Sequence, residues 1–407
     1  MKKTTLATLV GAAAFAAAGA ANATIVVGGE NGYEFSVDGN INQFFIASDQ
    51  DSAGGGQDNN EVANGLLPAF FGFNVSAPEI NGLKIGARVS ISPSTNNFTG
   101  NAGENEMEQR EAFGTVDGSF GQVLFGKALG LYGSNEILAE QTLFGVGATG
   151  VTAFGGQSSG TTTLGRIGYG YDYADWRSQI RYTTPDMNGF KAAFAVMDAV
   201  DVTPSGETNT ADFVEADPRF EGQISYATAF DNGSVNLWLA GMTQEIDANF
   251  GGVVGEQSVE SNAYSIGTHL KFAGFEFVGS YFDNEGVGAA GGLEQIFGAD
   301  AFAYSAVDAN GEERDGDGWF VQAGYRFAGT TLASVSFGES TLDTTSGETD
   351  LTTTAPYDKN ELTTFGIYHD VTANLKLVAE YSMMETELHD GTDAEVDVFT
   401  LGGFITW

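Results

Sequence analysis

The sequence has no cysteine, so nothing in it points to disulfides or thiol chemistry. Proline is scarce, with 7 residues against 57 glycines, and Pro78, Pro185 and Pro218 sit beside turns or strand starts. Charged residues make up only 17%, which is low for a soluble globular chain. Bases are rarer still: 16 Lys and Arg stand against 54 Asp and Glu, a net charge of −38. So acidic a chain repels nucleic acid, and that partner class is excluded. Beyond the N-terminal leader, no apolar run approaches the ~20 residues that a helical membrane span needs.

The leader itself is distinctive. Met1-Lys2-Lys3 is positive, Leu6 to Ala21 is apolar and uncharged, and Ala21-Asn22-Ala23 offers small residues for cleavage. This pattern predicts a secretory signal peptide over 1–23 and a single domain over 24–407. Loss of Lys2 and Lys3 leaves 14 bases and a side-chain charge of −40. An exported chain without helical anchors stays soluble or spans a membrane as a closed β-barrel, because lipid leaves no backbone polar group unpaired.

Period-two patterning dominates the rest. In Leu83-Lys84-Ile85-Gly86-Ala87-Arg88-Val89-Ser90-Ile91 the odd positions are apolar and the even ones polar or glycine. Phe275–Tyr281 and Trp319–Phe327 repeat the scheme, with Val278 and Phe320 out of phase. Sixteen such segments occur, near 33–47, 67–77, 83–92, 107–117, 120–128, 175–184, 189–199, 218–230, 234–244, 260–272, 274–284, 316–328, 330–341, 361–370, 375–387 and 395–407. Alternating segments of about ten residues are the signature of a transmembrane barrel. Short turns, such as Pro78 to Gly82 and Ala273-Gly274, alternate with long polar stretches: Ser48 to Gly65, Val200 to Asp217, Gly286 to Asp315 and Leu342 to Asn360. That is the plan of short periplasmic turns and longer external loops.

A soluble β-sandwich also alternates. Two features favour the membrane. Aromatics recur at strand ends (Tyr182, Phe190, Phe272, Phe275, Trp319, Phe327), where interfacial girdles lie, and the chain ends on Phe399, Leu401, Gly403, Ile405 and Trp407 at alternate positions. With apolar residues outward, polar ones such as Arg219, Glu221, Gln223 and Ser225 face a lumen.

Several stretches resemble the Gram-negative general porin family. Arg110-Glu111-Ala112-Phe113-Gly114-Thr115-Val116, followed by Gly118-Ser119-Phe120-Gly121-Gln122-Val123-Leu124-Phe125-Gly126-Lys127, is similar to that family's fourth and fifth strands. Arg181-Tyr182-Thr183-Thr184-Pro185 with Gly189-Phe190 resembles a hairpin of the same family, and the C-terminus resembles its sorting signal, with Trp407 in place of the commoner phenylalanine. The resemblance implies an all-β barrel of 16 antiparallel strands in the outer membrane, with a third loop folded into the lumen. It also implies a homotrimer surrounded by outer-membrane lipid and lipopolysaccharide, inserted by the barrel assembly machinery through the Trp407 signature. Acids on the third loop would face bases on the wall across a constriction.

Candidate constriction residues follow. Alternation places Lys84, Arg88, Arg177, Arg181 and Lys191 on the polar face; Arg110 and Lys127 enter through the family motif, although Lys127 shares the phase of Val123 and Phe125. The third loop would run from Leu129 to about Tyr173, with a helix over Ser134 to Gln141 capped by Ser134. Glu136 and Glu140, spaced i,i+4, would share a face opposite the bases. The charge of −40, with Glu34, Asp38, Glu221, Glu276 and Glu380 on lumen faces, predicts a modest cation preference.

Other motifs carry less. Gly145-Val146-Gly147-Ala148-Thr149-Gly150 spells GxGxxG without the βαβ context of a nucleotide site. Asp308-Ala309-Asn310-Gly311 and Asp315-Gly316-Asp317-Gly318 are fragments of calcium loops, consistent only with loose divalent-cation association at acidic external loops. The three histidines, His269, His369 and His389, lack metal spacing, and no GxSxG elbow is present. No catalytic group or cofactor site is assigned. The leading reading is a channel for small hydrophilic solutes. A substrate-selective channel for an anion, sugar or carboxylate is the alternative, and an outer-membrane or secreted enzyme is the third.

Overall fold

The computed structural model describes residues 25–52, 56–93, 95, 107–149, 162–200, 205–206, 209–210, 212–250, 254–288, 306–348 and 357–407. The signal peptide over 1–23 and the centre of the third loop, 150–161, fall outside these residues.

The chain forms one antiparallel barrel. β1 is Glu34–Ser52; β2 comes in two pieces, Gln57–Ala63 and Phe70–Ser76; β3 is Lys84–Pro93 and β4 Ala112–Gly118. β5 is Gly121–Leu129, β6 Trp176–Thr183, β7 Phe190–Met197 and β8 Arg219–Phe230. β9 is Gly233–Asn249, β10 Glu256–Phe272, β11 Phe275–Glu285 and β12 Asp315–Phe327. β13 is Thr331–Leu342, β14 Tyr357–Thr372, β15 Leu375–Leu388 and β16 Asp393–Thr406. Each strand pairs with the next, and β16 returns to β1 in unbroken register from Asn40↔Thr406 to Ser52↔Ala394. All sixteen segments read from alternation lie on these strands.

Local chemistry explains the tight hairpins. Ala273 (φ 51°) and Gly274 (φ 89°) are both left-handed, and they join Phe272 to its partner Phe275. A two-residue turn with both φ positive has the backbone twist that matches the strands it joins.

Strand boundaries depart from the sequence reading at the outer end. The segment Ser48 to Gly65 is no long loop: β1 continues through Ser52, and Asp49 pairs with Asp58 and Gln50 with Gln57. β9 and β10 each run 17 residues, past the 244 and 260 boundaries. At ~3.4 Å per residue such strands far exceed the ~25 Å apolar band of a membrane barrel. Their upper halves therefore stand in the outer polar layer, where outward side chains are polar and hydrophobic alternation fades.

The outward face is apolar. Leu237, Leu239, Ile266, Phe277, Val321, Phe365 and Leu401 are exposed there. Aromatics flank the band: Phe272, Phe275 and Phe327 beside the periplasmic turns, and Tyr264, Tyr281 and Trp319 on the outer side. The inward face is not uniformly polar, which corrects the simple alternation scheme. Phe44, Trp238, Phe320, Leu362, Val378 and Phe404 point inward, and the third loop covers them with Ile137, Leu143, Val146, Ile167 and Tyr171. Phe144 meets Phe404 edge-on at 5.7 Å, and Tyr171 lies 5.8 Å from Phe320. Full burial of such side chains contributes about 1.5–3 kcal/mol each. The loop and the part of the inner wall beneath it thus share an apolar core.

Orientation of the faces is testable on one strand. Leu237→Lys, at mid-height on the lipid face, is expected to cost about 2–4 kcal/mol. Asn236→Lys, on the lumen face beside it, should cost far less. Urea unfolding of the barrel refolded in lipid vesicles measures both.

Candidate pore constriction

The third loop leaves β5 at Leu129 and joins β6 at Trp176. Its outbound limb holds a one-and-a-half-turn helix, α1 (Ser134–Ala139), and a 3₁₀ turn, Gln141–Phe144. This limb follows the inner wall strand by strand. Glu221 on β8 accepts hydrogen bonds from the backbone N–H of Leu131 (2.6 Å) and Tyr132 (3.0 Å). Gln322 on β12 accepts from Gln141 N–H at 2.9 Å. Glu380 on β15 accepts from Val146 N–H (2.8 Å) and Gly147 N–H (3.0 Å). The return limb is held the same way: Asp172 accepts from Tyr132 Oη (2.6 Å) and Asn284 Nδ2 (2.8 Å), and Gly170 N–H donates to Ser340 Oγ at 2.8 Å.

Of the predicted acids, Glu136 takes part in this anchoring, Glu140 turns back onto its own loop, and neither forms an ion pair with the wall bases. Glu136, 1% exposed, accepts from Trp238 Nε1 at 2.7 Å and Ser280 Oγ at 3.0 Å, on β9 and β11. Glu140 has left the helix, which ends at Ala139. Its backbone is extended and its carboxylate folds back on Thr142, accepting from the N–H (2.5 Å) and the hydroxyl (2.7 Å). The shared i,i+4 face is therefore absent, because the helix is too short to hold both residues. Nor does Ser134 cap it: Gly133 occupies that position, and the Ser134 hydroxyl donates to the Leu131 carbonyl at 2.7 Å.

The basic wall finds other acids. Arg88 bridges Glu111 (2.7 Å) and Asp38 (2.8 Å), buried at 3% exposure. Arg110 pairs with Glu108 at 2.8 Å, and Arg177 lies 3.6 Å from Asp175. Arg181 donates to the Leu129 carbonyl at 3.4 Å. The Nε atoms of Arg177 and Arg181 have no hydrogen-bond partner among the described residues. Arg219, absent from the predicted set, joins this group through Glu221 at 2.7 Å. Lys84 keeps its lumen phase at the exposed periplasmic end of β3, opposite Asp117. Lys127 does not belong to the wall: it pairs with Ala112 and Ser178 in unbroken register, so it shares the outward phase of Phe125. No bulge turns it inward.

Sequence reasoning also passed over Arg166, the sole base in the third loop. It is fully buried and donates to the Leu362 carbonyl (2.8 Å) and Ser336 Oγ (2.5 Å). A period-two pattern does not reach a loop. The strand anchors Glu221 and Glu380 were legible as lumen-facing acids, but nothing local named what they hold.

The net negative charge sits largely away from the pore wall. Glu339, Glu361, Glu385 and Glu395 lie directly opposite one another on successive strands from β13 to β16, in outward phase. Asp49 faces Asp397 on one side and Asp58 on the other. Most bases, by contrast, are in the lumen; Lys127, Lys359 and Arg314 are the exceptions among the 14 that follow the leader.

A sixteen-stranded barrel, a third loop laid along its inner wall and an arginine-rich opposite wall are now in place. The sequence profile described as Gram-negative porin matches residues 7–389. The chain belongs to the Gram-negative porin family. No curated protein sequence matches this porin, and its likeness to solved structures is one of fold. The outer membrane channel DcaP of Acinetobacter baumannii superposes with a TM-score of 0.66 at 13% identity, covering 93% of this chain and 99% of that one. The anion-selective porin from Comamonas acidovorans gives 0.60 at 15%, covering 92% and 100%. Salmonella typhi OmpF gives 0.52 at 10%, covering 93% and 99%. The porin resides in the outer membrane, and its family and fold are those of a channel, not an enzyme.

Two expectations test the wall and the loop. Arg88→Met leaves Asp38 and Glu111 without their partner, and a broken buried ion pair costs about 3–5 kcal/mol; unfolding in denaturant measures the loss. Burial pushes the Glu140 carboxyl up to about 7, against the opposing pull of Thr142 and the Arg166 charge. A raised acid favours the docked loop while protonated, so its contribution is complete below about pH 4.5 and fades as pH rises through about 7. Brief closures in single-channel records are expected to multiply between pH 5 and pH 8, and Glu140→Gln should flatten that dependence.

Proposed function

We propose that this porin is an open diffusion channel for small hydrophilic solutes and ions, with a weak preference for cations. The pairing of bases with acids on the pore wall supports the weakness: Arg88, Arg110, Arg177 and Arg219 each have a carboxylate within 2.7–3.6 Å. Paired charges project little field into a water-filled lumen. The lean towards cations rests on the surplus of acid at the outer end, where Glu245, Glu260, Asp283, Glu285, Asp315 and Asp317 crowd adjacent strands. Such a rim concentrates cations within about one Debye length, ~8 Å at physiological salt.

A second reading has its own support. Arg181 has no carboxylate within ion-pair distance among the described residues, which favours an anion-preferring pore, and one structural neighbour is an anion-selective porin. Reversal potential across a planar bilayer in a KCl gradient separates the two. A small potential of cationic sign is expected for the wild type. Arg181→Glu should enlarge it, and an anionic sign in the wild type would replace the first reading with the second.

We further propose that three copies associate through β3 to β7. On these strands the outward side chains, among them Ile85, Val89, Phe125, Ile180 and Phe194, include no acid, unlike those of β9 to β16. A trimer form is known for a neighbour, OmpT of Vibrio cholerae, at TM-score 0.52. Light scattering in detergent should give three protomers, and Val89→Arg should release monomers.

A further inference from the structure

We propose that the outer mouth carries a second size filter: two loop limbs, 306–315 and 342–348, locked together by Arg314, seat Val307 inside the barrel and narrow the entrance. Arg314 is the positioning residue of this cap. The proposal rests on the open-pore reading above, since it limits what that channel admits.

The first limb belongs to the loop between β11 and β12, yet it does not stay above those strands. Val307, 0% exposed, packs in one cluster with Ile246, Ala248, Phe250 and Val259. Ile246, Ala248 and Val259 are lumen-phase residues at the outer ends of β9 and β10. The limb therefore leans back across the inner wall. The second limb, which leaves β13, leans the same way. Thr345 Oγ1 donates to Asp308 Oδ2 at 2.8 Å, Ser346 Oγ to Glu312 Oε2 at 3.1 Å, and the Asp343 N–H to the Asp315 carbonyl at 2.8 Å.

One side chain joins the two. Arg314 is 2% exposed and grips Glu348 with two donors, Nε to Oε2 at 3.0 Å and Nη2 to Oε1 at 2.5 Å. Its Nη1 donates to the Val307 carbonyl at 2.9 Å. The planar guanidinium thus holds the second limb and the seated residue at once, a fork that lysine lacks. The limbs carry six carboxylates, Asp308, Glu312, Glu313, Asp315, Asp343 and Glu348, and Arg314 is their only base. Like charges this close repel. Removing the one cation breaks the pair and leaves the limbs pushing apart. The Asp308-Ala309-Asn310-Gly311 fragment finds its role here. Asp308 Oδ1 accepts from the N–H groups of Asn310 (2.8 Å) and Glu312 (3.0 Å), so the carboxylate shapes the turn that presents Arg314.

The test uses the absence of cysteine in the native chain. Val307 is replaced by cysteine as the sole thiol, and its labelling by a small water-soluble reagent is timed in the full-length protein in lipid. Arg314→Gln is expected to speed labelling about 100-fold or more, the effect of breaking a buried ion pair that holds a local opening shut. Glu348→Gln, whose amide oxygen still accepts, should fall between. Glu285→Gln removes a nearby carboxylate on the outward face of β11 and should leave the rate unchanged. Heat-modifiable gel mobility verifies that each barrel has folded, and Glu348→Gln serves if Arg314→Gln does not fold. The filter itself is read by the swelling of proteoliposomes in a pentose and in a trisaccharide. Arg314→Gln should raise trisaccharide entry relative to pentose entry. Asp308→Cys with Thr345→Cys, at positions whose side chains meet at 2.8 Å, is then oxidised in the Arg314→Gln background. The disulfide should restore the wild-type sugar ratio, and its reduction should release it again. Unchanged labelling or an unchanged sugar ratio in Arg314→Gln, equal acceleration by Glu285→Gln, or a disulfide that does not form or does not restore the ratio would overturn the proposal. A wild type that passes neither sugar nor ion while Arg314→Gln still speeds labelling would instead overturn the open-pore reading and leave the cap standing.

Discussion

Lipid offers no hydrogen bonds, so every backbone N–H and C=O at membrane depth must be bonded within the chain. Here the ladder that satisfies them closes at the seam between Asn40–Ser52 and Ala394–Thr406. The chain terminus finishes that seam: the Trp407 N–H donates to the Gly39 carbonyl at 3.1 Å, its carbonyl accepts from Gly39 N–H at 3.0 Å, and its indole lies 5.0 Å from Phe71. Closure fixes the two faces. Once the ring is complete, each strand has one side in lipid and one in the lumen, and a one-residue slip in register would exchange them. The apolar outer band, the aromatic flanks and the enclosed space all depend on this seam.

Within that space the porin builds a second interior. Part of the inner wall beneath the third loop is apolar, as Phe44, Trp238, Phe320 and Phe404 show. The rest is a polar wall dominated by arginine. Carboxylates serve both parts in different ways. On the loop side they accept backbone N–H groups and position a segment that lacks regular secondary structure. On the arginine side they neutralise guanidinium groups that would otherwise be buried and unpaired, a costly state. A static charge count mistakes one role for the other: Glu136 reads as a pore-facing acid and is an anchor, Glu140 caps the turn that follows it, and Asp38 and Glu111 hold Arg88.

The distribution of charge separates solubility of the outer end from chemistry of the lumen. Successive carboxylates on β13 to β16 face each other directly, a placement that is repulsive on its own. It lies above the apolar band, where solvent and ions screen it. The bases, few in number, are mostly kept for the lumen. Net charge therefore says little about the pore wall of such a barrel, since the wall is a small and separately composed part of its surface.

All sixteen strands, their facing and most turns were written in the sequence, because the period of two is a local property that each segment carries alone. The lumen phase of Arg88, Arg177, Arg181, Glu221 and Glu380 followed from that same period. What the period could not carry was the partner of each side chain. Val146 meets Glu380 across 234 positions, and Gln141 meets Gln322 across 181; no spacing rule links such residues. The extension of β1, β9 and β10 beyond the membrane was hidden for a related reason, since paired strands in water need no hydrophobic alternation. The sequence by itself determined a closed barrel with an apolar outside and a family to match. Only the tertiary structure decided which part of the lumen the loop occupies and which acids hold it, because those contacts exist only after the ring has closed around them.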